Sequence, residues 1–322
     1  MSTTVTTVLG PVDAADLGVV AIHEALLSVV PGAQYAFDIT IDRAEVFEGL
    51  RAHLDAFKAA GGGTVVDRTG MFHGRDVRLY EKLSAATGVH LVASTGMGPE
   101  ENLGGYFLTP QTNPPTPWPA ERFADLFAAE VSEGMVVPRV ERRGGAGLIV
   151  TDATAAGATP TDESLLRGAA RAAAATGVAL SFGATADPIA ALEIALGEGL
   201  AASRIIVADV DRADADGVAR AAAERGAYVA IDHVGWDAAS GHLADDARAD
   251  LVAALIDAGL TDRILLSSSS TGAAFGHAPA PAALTAVLAD FAPRLRERGV
   301  SEQDLTRILA TNPQTVLAGQ EN

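Results

Sequence analysis

The chain has no cysteine and only two lysines, Lys58 and Lys82. Without cysteine there can be no disulfides, thiolate nucleophiles or sulfur ligands, a composition compatible with a reducing compartment. Basic residues are scarce overall. The 23 Lys and Arg face 41 Asp and Glu, for a net charge of -18, which repels phosphate backbones and anionic membrane surfaces. No apolar run approaches the ~20 residues needed to span a bilayer. The opening MSTTVTTVLG lacks the basic start and long apolar stretch of a secretion signal. These absences argue against nucleic-acid and membrane partners. They leave the expectation of a soluble, cytoplasmic protein that handles a small molecule.

What is present is an alternation of short β-branched runs with longer Ala- and Leu-rich segments, as expected of parallel strands buried under amphipathic helices. Eight candidate strands lie around Val19–Ile22, Thr64–Val66, His90–Ala93, Gly147–Thr151, Ala179–Phe182, Arg204–Ala208, Tyr228–Ile231 and Arg263–Leu266. Eight such units favour a closed (β/α)8 TIM barrel; periodicity alone leaves an open doubly wound sheet as the alternative. No linker divides the chain, so residues 1–322 are expected to form a single barrel domain. Two stretches rich in Gly and Pro read as loops, Gly98–Trp118 after strand 3, placed to cover the barrel mouth, and Ser270–Pro281, a flexible loop after strand 8. Ser164–Thr176 reads as an Ala-rich helix.

Four segments, Leu9–Leu27, Gly61–Gly70, Gly74–Gly96 and Ala146–Val178, together with the later Thr311-Asn312-Pro313, resemble the phosphotriesterase family of the amidohydrolase superfamily. The resemblance covers nearly the whole chain and implies a barrel, often dimeric, so a homodimer is left open. It also implies two metal ions held by an HxH pair on strand 1, a carboxylated lysine on strand 4, histidines ending strands 5 and 6, and an aspartate ending strand 8. Against that pattern the HxH pair reads His23-Glu24-Ala25. The lysine becomes Val150, the two histidines become Gly183 and Asp209, and the aspartate becomes Ser269. One ligand of six is kept. Both lysines fall in helix-like segments, AFKAAG and YEKLSAATG, so a lysine bridge between metals is not expected, and neither metal nor cofactor is assigned. A tyrosine that related lactonases place after the STG of strand 3 is replaced by Gly98.

In barrels of this type the active site lies at the C-terminal ends of the strands. Asp209, His233, His23 and Asp152 are the candidate catalytic residues there, and Asp232, Ser269 and Asp67 the candidate substrate-binding ones. Asp209, near other acids and partly removed from water, is expected to have a raised pKa and to serve as a general acid. His233 is the acid or base by residue type. The resemblance makes Asp232-His233 the family's DH pair, with the relay partner of His233 at Asp211 or Arg212. Asp152 lies two positions beyond Val150 and so shares its inward side. His23 either binds a single ion or hydrogen-bonds a neighbouring carboxylate. Asp67, followed by Arg68, also has a structural reading, because relatives carry a similar VDxT segment without using it as a ligand. His73, His242 and His277 read as exposed loop histidines, and the run Ser267–Ser270, lacking a nucleophile elbow, as small polar lining.

Three functions follow in order: a metal-independent enzyme moving protons with Asp and His, a non-catalytic small-ligand-binding protein, and a divergent hydrolase with one ion. The first covers hydrolysis, elimination, isomerisation or cyclisation.

Overall fold

The computed structural model describes residues 3–33, 36–103, 117–137, 141–154, 156–183 and 185–319. Nine strands form one parallel sheet: β1 Val19–Val29, β2 Gly62–Asp67, β3 His90–Gly96, β4 Leu148–Asp152, β5 Ala179–Gly183, β6 Ile205–Val207, β7 Tyr228–Ile231, β8 Ile264–Leu266 and β9 Thr271–Phe275. From β1 to β8 each strand lies beside its neighbours in sequence, and β9 returns to pair with β1. Only four residues, Ser267–Ser270, separate β8 from β9. The final strand therefore leaves β7 through them and rejoins β1, with the Ala25 N–H donating to the Ser270 carbonyl at 2.9 Å. That seam closes a (β/α)8 barrel.

The seam corrects one expectation. Ser270–Pro281 is not loop throughout, because Thr271–Phe275 pairs with Ala25–Val29. The reason lies in β1, which at 11 residues is the longest strand of the sheet. Its upper half would otherwise leave backbone donors and acceptors without partners. Of the other expected loop, residues 104–116 lie outside the described residues.

Helices α1 Arg43–Ala59, α2 Val77–Thr87, α3 Ala120–Ser132, α4 Pro160–Thr176, α5 Pro188–Gly197, α6 Val218–Glu224, α7 Asp245–Asp257 and α8 Ala292–Glu297 follow the strands in turn. The start of α4 is fixed locally by Pro160 in its first turn and a capping box between Thr159 and Asp162, and Gly177 ends it in the left-handed conformation. Lys58 and Lys82 sit on α1 and α2, where the Lys58 ammonium donates to the Thr87 carbonyl at 2.6 Å.

Strand alternation sorts the apolar residues into two shells. Val65, Leu91, Ile149, Leu180, Val207 and Val229 face the helices, while Val20, Ile22, Val66, Val92, Val150 and Ile206 fill the barrel interior. Val5, Leu17, Val316 and Leu317 close the bottom of the barrel. Apart from Thr64, whose hydroxyl donates to the Leu17 carbonyl at 2.7 Å, the polar side chains of the site lie in layers above this plug. No helix among the described residues is long and apolar enough to cross a membrane.

Candidate active site

The lowest polar layer is built on His23 of β1, which is buried, with both ring nitrogens engaged. Nδ1 meets Asp232 Oδ2 at 2.7 Å and Nε2 meets the Ser181 hydroxyl of β5 at 2.8 Å. Burial lowers the imidazole below its ordinary pKa despite the Asp232 carboxylate. A neutral ring that donates from Nδ1 and accepts at Nε2 satisfies both contacts. Of the two roles considered for His23, the structure displays the hydrogen bond to a carboxylate.

Asp232, just beyond β7, joins this layer to the next. Its Oδ1 accepts the Asp209 N–H at 3.1 Å and lies 3.4 Å from His233 Nδ1. Burial works to raise its pKa, but the hydrogen bonds from His23 and His233 outweigh burial and hold the carboxyl well below the usual range. His233 meets Asp211 twice, from Nδ1 at 3.0 Å and from its backbone N–H at 3.1 Å. Asp211, fully buried, accepts in turn from Arg248 Nε at 2.7 Å. Burial would lower the His233 pKa; Asp211 and Asp232 overcome it and carry the imidazole to about 10.

Asp209, two residues past β6, points its Oδ1 to within 3.6 Å of His233 Nε2. Burial and then the Asp232 charge raise its carboxyl to about 6, with Arg68 and His233 opposing. Its backbone has a φ of +56°, and Ser269 has +44°. Non-glycine residues in this region are uncommon, and such strain concentrates at functional sites. Here it falls at two of the positions that the family pattern assigns to ligands. A cleft of about 60 Å³ opens beside Asp209, lined by Thr185, Pro188, Ala208, Arg212 and Val218.

The third group centres on Arg68. Alternation past the end of β2 separates it from Asp67. Asp67 is fully buried and accepts from the Leu26 N–H at 2.8 Å, the Tyr80 hydroxyl of α2 at 3.0 Å and the Thr69 hydroxyl. Arg68 instead extends its guanidinium across the mouth to Asp152 Oδ1 at 2.5 Å. Burial disfavours its charge, but Asp152, Asp209 and Asp232 outweigh that and push its pKa further up. Gly183 makes room for this arrangement: a Cβ there would lie 2.9 Å from Arg68 Nη2 and 3.0 Å from Asp209 Oδ2.

Beside these groups, Glu24 is buried in a cage of serines. Its Oε1 accepts from the Ser267 hydroxyl at 2.6 Å and the Ser268 N–H at 3.0 Å. Its Oε2 accepts from the Ser270 N–H and hydroxyl, both at 2.6 Å. Ser269 lies within this run, half-buried, and the run that read as polar lining is therefore a carboxylate clamp at the seam.

The structure thus joins His23, Asp232, Asp209 and His233 in one hydrogen-bonded or ion-paired cluster, with Asp152 attached through Arg68. Asp67 stands apart, held against α2. The sequence reading left Arg68, Glu24 and Ser181 without a functional place. The available signal for Arg68 was charge, since several inward carboxylates had lost their metal partner and one arginine lay at a strand end. Two of the three loop histidines also differ from expectation. His242 is half-buried and stacks on His233 with ring centroids 3.6 Å apart, and His73 is half-buried with an enclosed Nε2. His277 remains exposed, near the Ser28 hydroxyl at 2.8 Å.

Two groups of residues bring possible metal donors within reach of one another, Asp209-His233-His242 and Asp211-Asp232-His233. Neither suits an ion well. The His233 and His242 rings are stacked with planes only 26° apart, so their in-plane lone pairs run nearly side by side instead of converging. In the second group Asp211 is committed to Arg248, and Asp232 to His23. The two-metal arrangement of the family fits still less, because Val150 packs in the apolar interior and a guanidinium lies across the carboxylates.

The Phosphotriesterase family model matches residues 3–317. A phosphotriesterase homology protein of Mycobacterium tuberculosis is 27% identical over 328 residues, covering 98% of this chain and 97% of its own. An aryldialkylphosphatase of Saccharolobus solfataricus is 27% identical over 314 residues, covering 94% and 95%. The crystal structure of a mutant PTE-like lactonase from Deinococcus radiodurans superimposes with a TM-score of 0.84 at 25% identity, covering 98% of this chain and 100% of that one. With barrel, mouth and nearly full-length matches in agreement, the chain belongs to the phosphotriesterase family, whose members are hydrolase-like enzymes of small molecules.

Proposed function

We propose that this protein hydrolyses a small ester, lactone or phosphoester by acid–base chemistry between Asp209 and His233, without a bound metal. The observation that carries the reading is the Asp209–His233 pair itself, 3.6 Å apart at the barrel mouth. Supporting it, Asp209 titrates near 6 and His233 near 10, so across neutral pH one is an ionised base and the other a charged acid. The general-acid role expected for Asp209 then passes to His233.

In this scheme the Asp209 carboxylate takes a proton from water as the water oxygen bonds to the carbonyl carbon or phosphorus. His233 directs Nδ1–H at Asp211 and Asp232, leaving the Nε2 proton for the departing oxygen as its bond breaks. Asp209 then returns the gained proton to His233 Nε2, and both groups are restored. Asp232 and Asp211 orient and charge the imidazole, and Arg248 keeps Asp211 in place. The lactonase and aryldialkylphosphatase names of the relatives support these substrate classes as the first to try.

The test is product formation by mass spectrometry from a panel of lactones, aryl esters and aryl dialkyl phosphates. Wild type should give kcat/KM rising with pH through about 6, where Asp209 loses its proton. Asp209→Asn and His233→Asn should each lower it by roughly 10²–10⁴-fold. Turnover unchanged in Asp209→Asn would refute the assignment, and tight ligand binding with no product would favour the binding protein.

A further inference from the structure

We propose that the guanidinium of Arg68 is the resident cation of the barrel mouth, neutralising the inward carboxylates and keeping a divalent ion out. Three of those carboxylates, Asp152, Asp209 and Asp232, act electrostatically on this one group, and Asp152 meets it directly at 2.5 Å. The space it needs is eased because residue 183 is glycine; a Cβ there would crowd Arg68 Nη2 and Asp209 Oδ2 and make these side chains shift. The guanidinium is also held inside the protein. Its side chain is only 21% exposed, and its Nε is buried without a hydrogen-bond partner.

Such burial costs free energy that a solvated arginine would avoid. The surrounding carboxylates offset that cost, and they in turn would repel one another without a cation among them. Arg68 is therefore a positioning residue: it fixes Asp152 through a direct ion pair, and its charge opposes protonation of Asp209. The inference deepens the metal-free reading above and rests on it, because it names the group that takes over the cation's electrostatic work.

Carboxylate oxygens without thiolates favour a hard ion, so Mn2+ is the probe. Wild type, Arg68→Met and Arg68→Lys are dialysed against Mn2+ and then against metal-free buffer, with bound metal counted by elemental mass spectrometry and thermal melting followed with and without Mn2+. The expected result is a metal-free wild type and Arg68→Lys, neither shifted in Tm by Mn2+. Arg68→Met should retain about one Mn2+ per chain, binding it on the order of tenfold or more tighter, with a Tm that rises on addition. In Arg68→Met freed of metal, the acidic limb of the pH–rate profile should also move up by about one unit or more.

A folded Arg68→Met that takes up no Mn2+ overturns this inference and leaves the metal-free reading standing. Stoichiometric metal in the wild type overturns both. If Arg68→Met folds only when Mn2+ is present, the ion has replaced the guanidinium and the inference is supported. If both Arg68→Met with Mn2+ and Arg68→Lys fail to fold, the inference is overturned, since the requirement is then for the guanidinium itself and not for a cation; Arg68→Lys folding where Arg68→Met does not supports it, because a positive charge is then what the mouth needs.

Discussion

Two carboxylate environments lie side by side in this barrel and are stabilised in opposite ways. Glu24 is held by neutral donors: three hydroxyls and two backbone N–H groups from the serine run converge on it, and among the described residues no cation pairs with it. Asp209, Asp211, Asp232 and Asp152 are instead balanced by charge, from His233, Arg248 and Arg68. Neutral donors fix a backbone, and at Glu24 they lock the β8–β9 seam onto β1. Counter-charges set protonation, which is why the titrating groups of the mouth are found on the second side. One residue bridges the two: the Trp236 indole N–H of the loop after β7 donates to the Ser268 carbonyl at 2.8 Å and meets the edge of His233.

The contrast can be broken most sharply at Arg248. It is fully buried, and Arg248→Met strips Asp211 of its arginine partner, leaving only His233 to balance the buried carboxylate. Stability should fall by roughly 3–5 kcal/mol in urea unfolding, the usual result of removing one partner of a buried pair. A loss below about 1 kcal/mol would mean that this side does not depend on charge balance.

On the neutral side, Glu24→Gln tests whether the clamp demands an anion. The Ser268 N–H points at one oxygen and the Ser270 N–H at the other, so either orientation of the amide sets an NH2 group against a backbone donor. The expected cost is about 1–3 kcal/mol by thermal or urea melting. An unchanged midpoint would show that the clamp does not depend on two acceptor oxygens.

A third effect is a dependence on pH. The Asp209 carboxyl is raised from its ordinary 3.8 to about 6 in the folded protein, so the folded state holds this proton more tightly than the unfolded chain. Its contribution to stability is complete below 3.8 and is lost as pH rises through about 6. Asp209→Asn has no such loss. Its Tm relative to wild type should therefore climb as pH is raised across that window, and a gap that stays constant would contradict the raised value.

The barrel was legible because its strands announce themselves: all eight expected strands overlap observed ones, and Tyr228–Ile231 matches end to end. β9 was not, since TGAAF has no β-branched run and becomes a strand only by pairing with the long upper half of β1. At the mouth, the family pattern located Asp209, Asp232 and His233, which the fold brings together. It gave no indication of Arg68, because the residue follows an unremarkable strand end and takes its role from carboxylates 84 or more positions away in sequence. Glu24 was overlooked for a related reason. A serine run looks featureless until closure of the barrel carries it to a carboxylate 243 residues away.

The stacked pair of His233 and His242 has a consequence for how this mouth can change over generations. His242 forms an isolated bridge with Arg212, the Ala213 N–H bonds the Gly241 carbonyl at 3.0 Å, and the Leu243 N–H bonds that of Asp211 at 2.8 Å. The loops after β6 and β7 are thereby stitched together directly above the reacting pair. Neither loop can be reshaped for a new substrate without disturbing the other, so altered specificity on this side of the barrel would require paired substitutions, one in each loop.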